Sequence, residues 1–155
     1  MKYSLVAFAA LVFVAHSYAA EVQPVSKETN CIALAIQREA GGESMKGMRA
    51  VGHVIVNRAN SGLYPNDVCK VVFEKHGNKC QFSWVCSKHY SLNISEKALL
   101  AAQLALSEPD ITYNAISFHV TRVHPKWHLN RTITIGSHVF YAFSSKSRQI
   151  SRNLS

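Results

Sequence analysis

The sequence predicts an α+β fold, mainly helical at first and closed by a small C-terminal antiparallel β-hairpin or sheet. Three observations predict it. Apolar residues recur at helical spacing through the first two thirds of the chain, and a period-two alternation replaces that spacing after residue 115. Four cysteines follow an export-type leader, which makes disulfide staples the default use of the thiols.

The leader comes first. Lys2 gives a positive start, Leu5 to Ala15 form an apolar core too short to cross a bilayer, and Ser17-Tyr18-Ala19 fits the small-x-small cleavage rule. Residues 1–19 therefore read as a signal peptide, with an uncleaved anchor as the alternative, and the mature protein is expected to be secreted or periplasmic. Residues 20–145 suit one compact domain with a modest core, and 146–155 form a polar tail. Losing Lys2 takes the net charge from +8 to +7. Such a charge suits an anionic surface and raises on-rates without naming the partner. No recognised nucleic-acid motif accompanies it, so no nucleic-acid partner is predicted.

A first helix begins near Ser26 to Thr29, which cap well, and runs to a Gly41-Gly42 break expected to take the left-handed conformation. Ser44 to Ala59 predict a second helix, with Met48, Val51, Gly52, Ile55 and Ala59 on its buried stripe and Gly47 and Gly52 marking a close neighbour, the first helix or a bound ligand. Glu43, just before it, suits a helix N-terminus as a negative charge. Pro65 opens a short third helix to about Phe73. Lys79 to Asn93 have no clean period and read as an ordered loop fixed by disulfides, of the kind that presents side chains to a ligand. Ser95 caps a fourth helix, Glu96 to Ser107, whose Leu99, Ala102 and Leu106 are expected in the core before Pro109 ends it. Ala115 to Val120 read as a strand, and Arg131 to Ile135 with His138 to Phe143 as a hairpin about Gly136-Ser137.

Three pairings are open to Cys31, Cys69, Cys80 and Cys86. We favour Cys69–Cys80, which closes a short local loop, with Cys31–Cys86, which ties that loop to the first helix. A zinc site is disfavoured by the Cys80-x5-Cys86 spacing, and His119-x4-His124-x3-His128 lacks a helical register because of Pro125. No metal or other cofactor is predicted.

Glu39 is the candidate for chemistry. Ile32, Ala35, Ile36 and Glu39 fall at i, i+3, i+4 and i+7, which places a carboxyl on the stripe that faces the core. Burial there would keep it protonated near neutral pH, as a general acid requires. Periodicity alone leaves open that Glu39 faces solvent or pairs with Arg38 or Arg49.

The blocks Glu39-Ala-Gly-Gly-Glu43, Ala50-Val-Gly52 to Val56-Asn-Arg58, Tyr64-Pro-Asn-Asp-Val-Cys69, Cys80-Gln-Phe-Ser-Trp-Val-Cys86, Ser117-Phe-His119 and Ile135-Gly-Ser-His-Val-Phe-Tyr141 follow in order over nearly the whole mature chain. Together they resemble the SleB-type cell wall hydrolases, the spore cortex-lytic family. The resemblance implies a lysozyme-like fold and cleavage of peptidoglycan glycan strands, commonly as a lytic transglycosylase. It places the catalytic acid on the first Glu of the family's Glu-Ala-Arg-Gly-Glu motif, here Glu39. Two positions depart from the pattern: the motif's Arg is Gly41, and Ser117 stands where relatives often carry a second His. Arg38 or Arg122 would then supply the missing cation. Gln81, Phe82, Ser83 and Trp84 are expected to line a sugar groove opposite His119, Tyr141 and Trp127. The expected partner is the peptidoglycan strand, met by a monomer. A hydrolytic muramidase and a non-catalytic, basic wall-binding protein are the alternatives.

Overall fold

In the computed structural model, residues 24–144 are described; the expected signal peptide (1–19) and tail (146–155) lie outside them. Side-chain caps set the helix starts. Ser26 Oγ accepts from Thr29 N at 3.1 Å to open α1 (Lys27–Ala40), and Ser44 Oγ from Gly47 N at 3.3 Å to open α2 (Met45–Asn60). Asp67 caps α3 (Val68–Val72) through Lys70 N at 2.8 Å, and Ser95 caps α4 (Glu96–Ser107) through Ala98 N at 3.2 Å. The third helix is shorter than expected, because residues 65–67 are spent on its cap. Among the described residues, no helix is long and apolar enough to cross a membrane.

Helices α1, α2 and α4 pack around Ile32, Ile36, Met48, Val51 and Ile55, all fully buried. Gly52 is the closest point: a β-carbon there would stand 2.7 Å from Ala105 Cβ on α4 and 3.1 Å from Ile36 Cδ1 on α1. That proximity corrects the expectation for α4, which buries Ala98, Ala101, Ala102 and Ala105 and leaves Leu106 exposed. Only a small side chain fits against Gly52, so Ala105 meets it; Ala102 is buried and Leu99 packs partly on the core as expected, while Leu106 turns outward. The break after α1 also differs. Gly41 stays right-handed at φ −59°, and a β-carbon there would crowd the Gln37 carbonyl oxygen at 2.6 Å.

Short strands β1 (Lys75–His76) and β2 (Lys79–Cys80) form a hairpin the sequence did not signal, followed by a 3-10 turn, Ser83–Cys86. The C-terminal sheet is antiparallel in the order β3 (Ser117–Val120), β5 (His138–Phe143), β4 (Leu129–Ile135), with a register shift between Arg131 and Ile133. Phe140 plugs the core from this sheet. Asn57 Nδ2 ties the preceding loop to α2, donating to Asp110 Oδ2 and Thr112 Oγ1 at 3.2 Å each and to Ala115 O at 3.0 Å.

The disulfides are Cys31–Cys69 and Cys80–Cys86, which corrects the expected Cys69–Cys80 and Cys31–Cys86 pairing. Packing of α3 on α1 brings the Cys31 and Cys69 α-carbons to 5.3 Å. The turn at 81–85 folds Cys86 back to 5.7 Å from Cys80, so the loop is stapled to itself rather than to α1.

Candidate active site

Glu39 sits one residue before the end of α1, half-buried. Burial pushes its carboxyl above the usual carboxylate range. Opposing this, in decreasing order, are the Trp84 side chain, the Arg58 charge and the Arg38 charge. The Trp84 indole Nε1 is buried and reaches no partner in full hydrogen-bond geometry, so it faces the carboxyl as a donor held slightly off contact. The 3-10 turn and the short disulfide aim Trp84 this way, and its ring is held by Phe82 at 6.1 Å, Phe73 at 6.2 Å and Tyr90 at 5.2 Å.

Arg58, near the end of α2, is the cation that acts most on Glu39, and sequence reasoning missed it. Its guanidinium lies 5.3 Å from the Tyr64 ring centroid and 5.4 Å from that of Phe82. Arg58 Nε donates to Ile116 O at 2.7 Å. With its amide oxygen turned inward, where donors meet acceptors, Gln81 accepts from Arg58 Nη1 at 3.0 Å and Nη2 at 3.2 Å. Burial lowers the Arg58 pKa, against the raising effects of Tyr64, Glu74 and Glu39, and an arginine starts high enough to stay charged. Arg38 acts second on Glu39, whereas Arg122 lies on the exposed loop after β3 and does not act on it. The available signal was Val56-Asn57-Arg58 itself: a charged residue in a run whose neighbours are core was a buried ion in waiting.

The expected groove residues divide. Trp84 and Gln81 join Glu39 through the indole and through Arg58; Phe82 is 4% exposed and serves as a floor beneath the guanidinium; Ser83 is exposed. His119 and Tyr141 are brought together on β3 and β5, with His119 Nε2 and Tyr141 Oη at 3.0 Å and the rings stacked at 5.2 Å. Trp127 packs edge-on against both at 5.5 Å. Among the described residues no group of three His, Cys, Asp or Glu side chains is placed to hold a metal ion.

Three other carboxylates, Asp67, Glu74 and Glu43, have neighbours of their own. Asp67 caps α3, and Glu74 lies 3.2 Å from His76 Nε2 and close enough to Arg58 to act on its charge. Glu43 accepts from Ser137 Oγ, and from Ser137 N at 3.4 Å, with His138 Nδ1 at 3.8 Å. These contacts hold its carboxyl below the usual range, the Ser137 hydroxyl most. The charges that act on Glu39 are thus both cationic, and none of these three carboxylates figures among them.

The family profile described as Cell Wall Hydrolase matches residues 42–141, beginning three residues after Glu39. The spore cortex-lytic enzyme of Oceanobacillus iheyensis is 32% identical over 112 residues, covering 70% of this chain and 39% of that protein. That of Bacillus cereus is 34% identical over 112 residues, covering 70% and 42%. The chain therefore spans about two fifths of the length of these curated relatives. Among solved structures, the catalytic domain of the Bacillus cereus SleB protein superposes with a TM-score of 0.64 at 30% identity, over 74% of this chain and 88% of that one. The catalytic domain of the germination-specific lytic transglycosylase SleB from Bacillus anthracis gives 0.64 at 29% identity, over 83% and 99%. The mixed helix and sheet architecture is the lysozyme-like one of these domains.

Proposed function

We propose, from the premise that this chain belongs to the cell wall hydrolase family, that it cleaves the β-1,4 bond between N-acetylmuramic acid and N-acetylglucosamine in peptidoglycan as a lytic transglycosylase. The observation that carries this reading is the Glu39 carboxyl: half-buried, raised by desolvation, and faced by an indole donor and a buried guanidinium.

Glu39 starts protonated and gives its proton to the bridging oxygen as the C1–O bond breaks. The resulting carboxylate then takes the proton of the muramic C6 hydroxyl while that oxygen attacks C1, closing a 1,6-anhydro ring. Arg58 favours the carboxylate that exists between these two transfers, so one group serves as acid and then as base. A hydrolase of the usual kind places a second carboxylate roughly 5–9 Å from the first, to activate water or attack carbon. The engagement of Glu43 by Ser137 and of Asp67 by the α3 cap supports the internal nucleophile instead.

On this reading Glu39, Trp84, Gln81, His119 and Tyr141 meet the glycan, Ser83 lies at its rim, and the protein acts as an exported monomer. Digestion of purified peptidoglycan followed by mass spectrometry tests it. Anhydro-muramyl ends that vanish with Glu39→Gln are expected; reducing ends alone would make the protein a muramidase, and a Glu39→Gln variant as lytic as the parent would leave wall binding without catalysis.

A further inference from the structure

All nine acidic residues of the chain lie at or before Asp110, so residues 111–155 contain no carboxylate side chain. The sheet and its loops expose instead Arg122, Lys126 and Arg131, with His119, His124 and His128 among them, while His138 is buried against Glu43. A solvated surface of ordinary composition mixes both signs, so this segregation points to an anionic ligand.

One place on the sheet has the shape to hold it. A cavity of about 250 Å³ opens between the sheet and the loop after β3, lined by His119, Thr121, His124, Arg131, Val139 and Tyr141. Alternation along β3 and pairing with β5 put Ser117, His119, Val139 and Tyr141 on one sheet face. Arg131 faces Tyr141 across the β4–β5 pair. It donates through Nη2 to Thr134 Oγ1 at 2.8 Å, and among the described residues no carboxylate pairs with it. A guanidinium has five N–H donors in a planar fork, so most remain for a ligand. Trp127, 43% exposed and packed on His119 and Tyr141, adds an apolar flank.

We infer that this pocket is a subsite for the carboxylates of the peptide stems borne by the glycan strand being cut. The inference rests on the peptidoglycan reading above. Position links the pocket to the acid: Arg58, which acts on Glu39, holds the carbonyl of Ile116, and His119 lies three residues further along the same extended segment. At about 3.3 Å per residue His119 stands roughly 10 Å along the strand from the residue whose carbonyl Arg58 holds, so the pocket lies on the element that adjoins the Glu39 site. A planar carboxylate on a short peptide matches one guanidinium fork beside aromatic rings better than a long polyphosphate chain would.

The test uses soluble glycan strands, either bearing their stems or stripped of them by an amidase with each freed lactyl carboxyl capped as its methylamide, and reads affinity by calorimetry with Glu39→Gln to prevent cleavage. Stem-bearing strands should bind about fivefold to tenfold tighter, the scale of one exposed charge-assisted contact. Adding Arg131→Ala should bring the ratio to about one, and free stem peptide should compete. Arg131 is exposed and makes one side-chain hydrogen bond, and thermal unfolding of the variant checks that it folds. Equal affinity for both strands, an Arg131→Ala loss equal on both, binding to neither strand, or poly(glycerol phosphate) competing better than stem peptide would overturn the subsite. Failure of the glycan-cutting reading shows separately, as a parent protein that prefers stem-bearing strands yet releases no fragments from either.

Discussion

The Glu43 carboxylate rests against the bare α-carbon of Gly136, where a β-carbon would overlap Oε2. Gly136 sits at φ +58° in the β4–β5 turn, and the next residue, Ser137, donates to the same carboxylate through its hydroxyl. One acidic side chain thereby fastens the start of α2 to the tip of the sheet. Gly136→Ala meets both the backbone and the steric objection and should destabilise by about 2–4 kcal/mol. Glu43→Ala should cost about 1–2 kcal/mol through lost charge-assisted hydrogen bonds. Denaturant titration of the double variant should fall short of the sum, because removing the Glu43 side chain frees the space that the added methyl group needs. Strict additivity would show that the two do not touch.

Glu39→Gln should lower lytic activity by about a hundredfold to ten-thousandfold. It should also raise stability at neutral pH. Burial lifts the folded-state pKa of Glu39 above its unfolded value, so the parent loses stability as pH rises through the folded pKa and the group ionises. An amide at this position does not ionise and suffers no such loss. Melting curves at pH 4 and pH 8 should therefore converge at the acid end and separate at the basic end.

Removing the Arg58 charge takes away a favourable partner of the Glu39 carboxylate, so the Glu39 pKa rises further. The alkaline limb of the pH-rate profile, which reports the protonated acid, should move to higher pH in Arg58→Met and return towards the parent in Arg58→Lys. A limb that stays put while the rate falls would reduce Arg58 to packing.

The two disulfides should differ in kind. Cys31–Cys69 closes a separation of 38 residues, for which loop entropy gives about 4 kcal/mol, and replacing both cysteines by Ala should mainly lower the melting temperature. Cys80–Cys86 closes a separation of 6, worth about 2 kcal/mol by the same relation. Its loss frees the turn that aims Trp84 at Glu39, so rate should fall more than stability.

Much of this was legible in the residues. Ser26, Ser44 and Ser95 marked three helix starts, because an N-cap is a local hydrogen bond. The 3.6-residue period put Glu39 on the inner stripe of its helix. What the sequence hid depends on packing between distant segments. Cys31 meets Cys69 because α3 lies on α1, and no spacing rule carries that information. Arg58 becomes a buried partner only because Tyr64, Phe82 and Gln81 arrive from other segments to surround it. Leu106 of α4 faces outward because the close contact with Gly52 on another helix is taken by Ala105.

The same close approach at Gly52 has a mechanical consequence. With Ile36 and Ala105 both against it, α1 is packed closely on α2 and α4, and Glu39, three residues beyond Ile36, is carried by that rigid contact. Warming should then loosen the aromatic flank of Trp127, His119 and Tyr141 before the end of α1, so that on the proposed function KM for glycan rises before kcat falls.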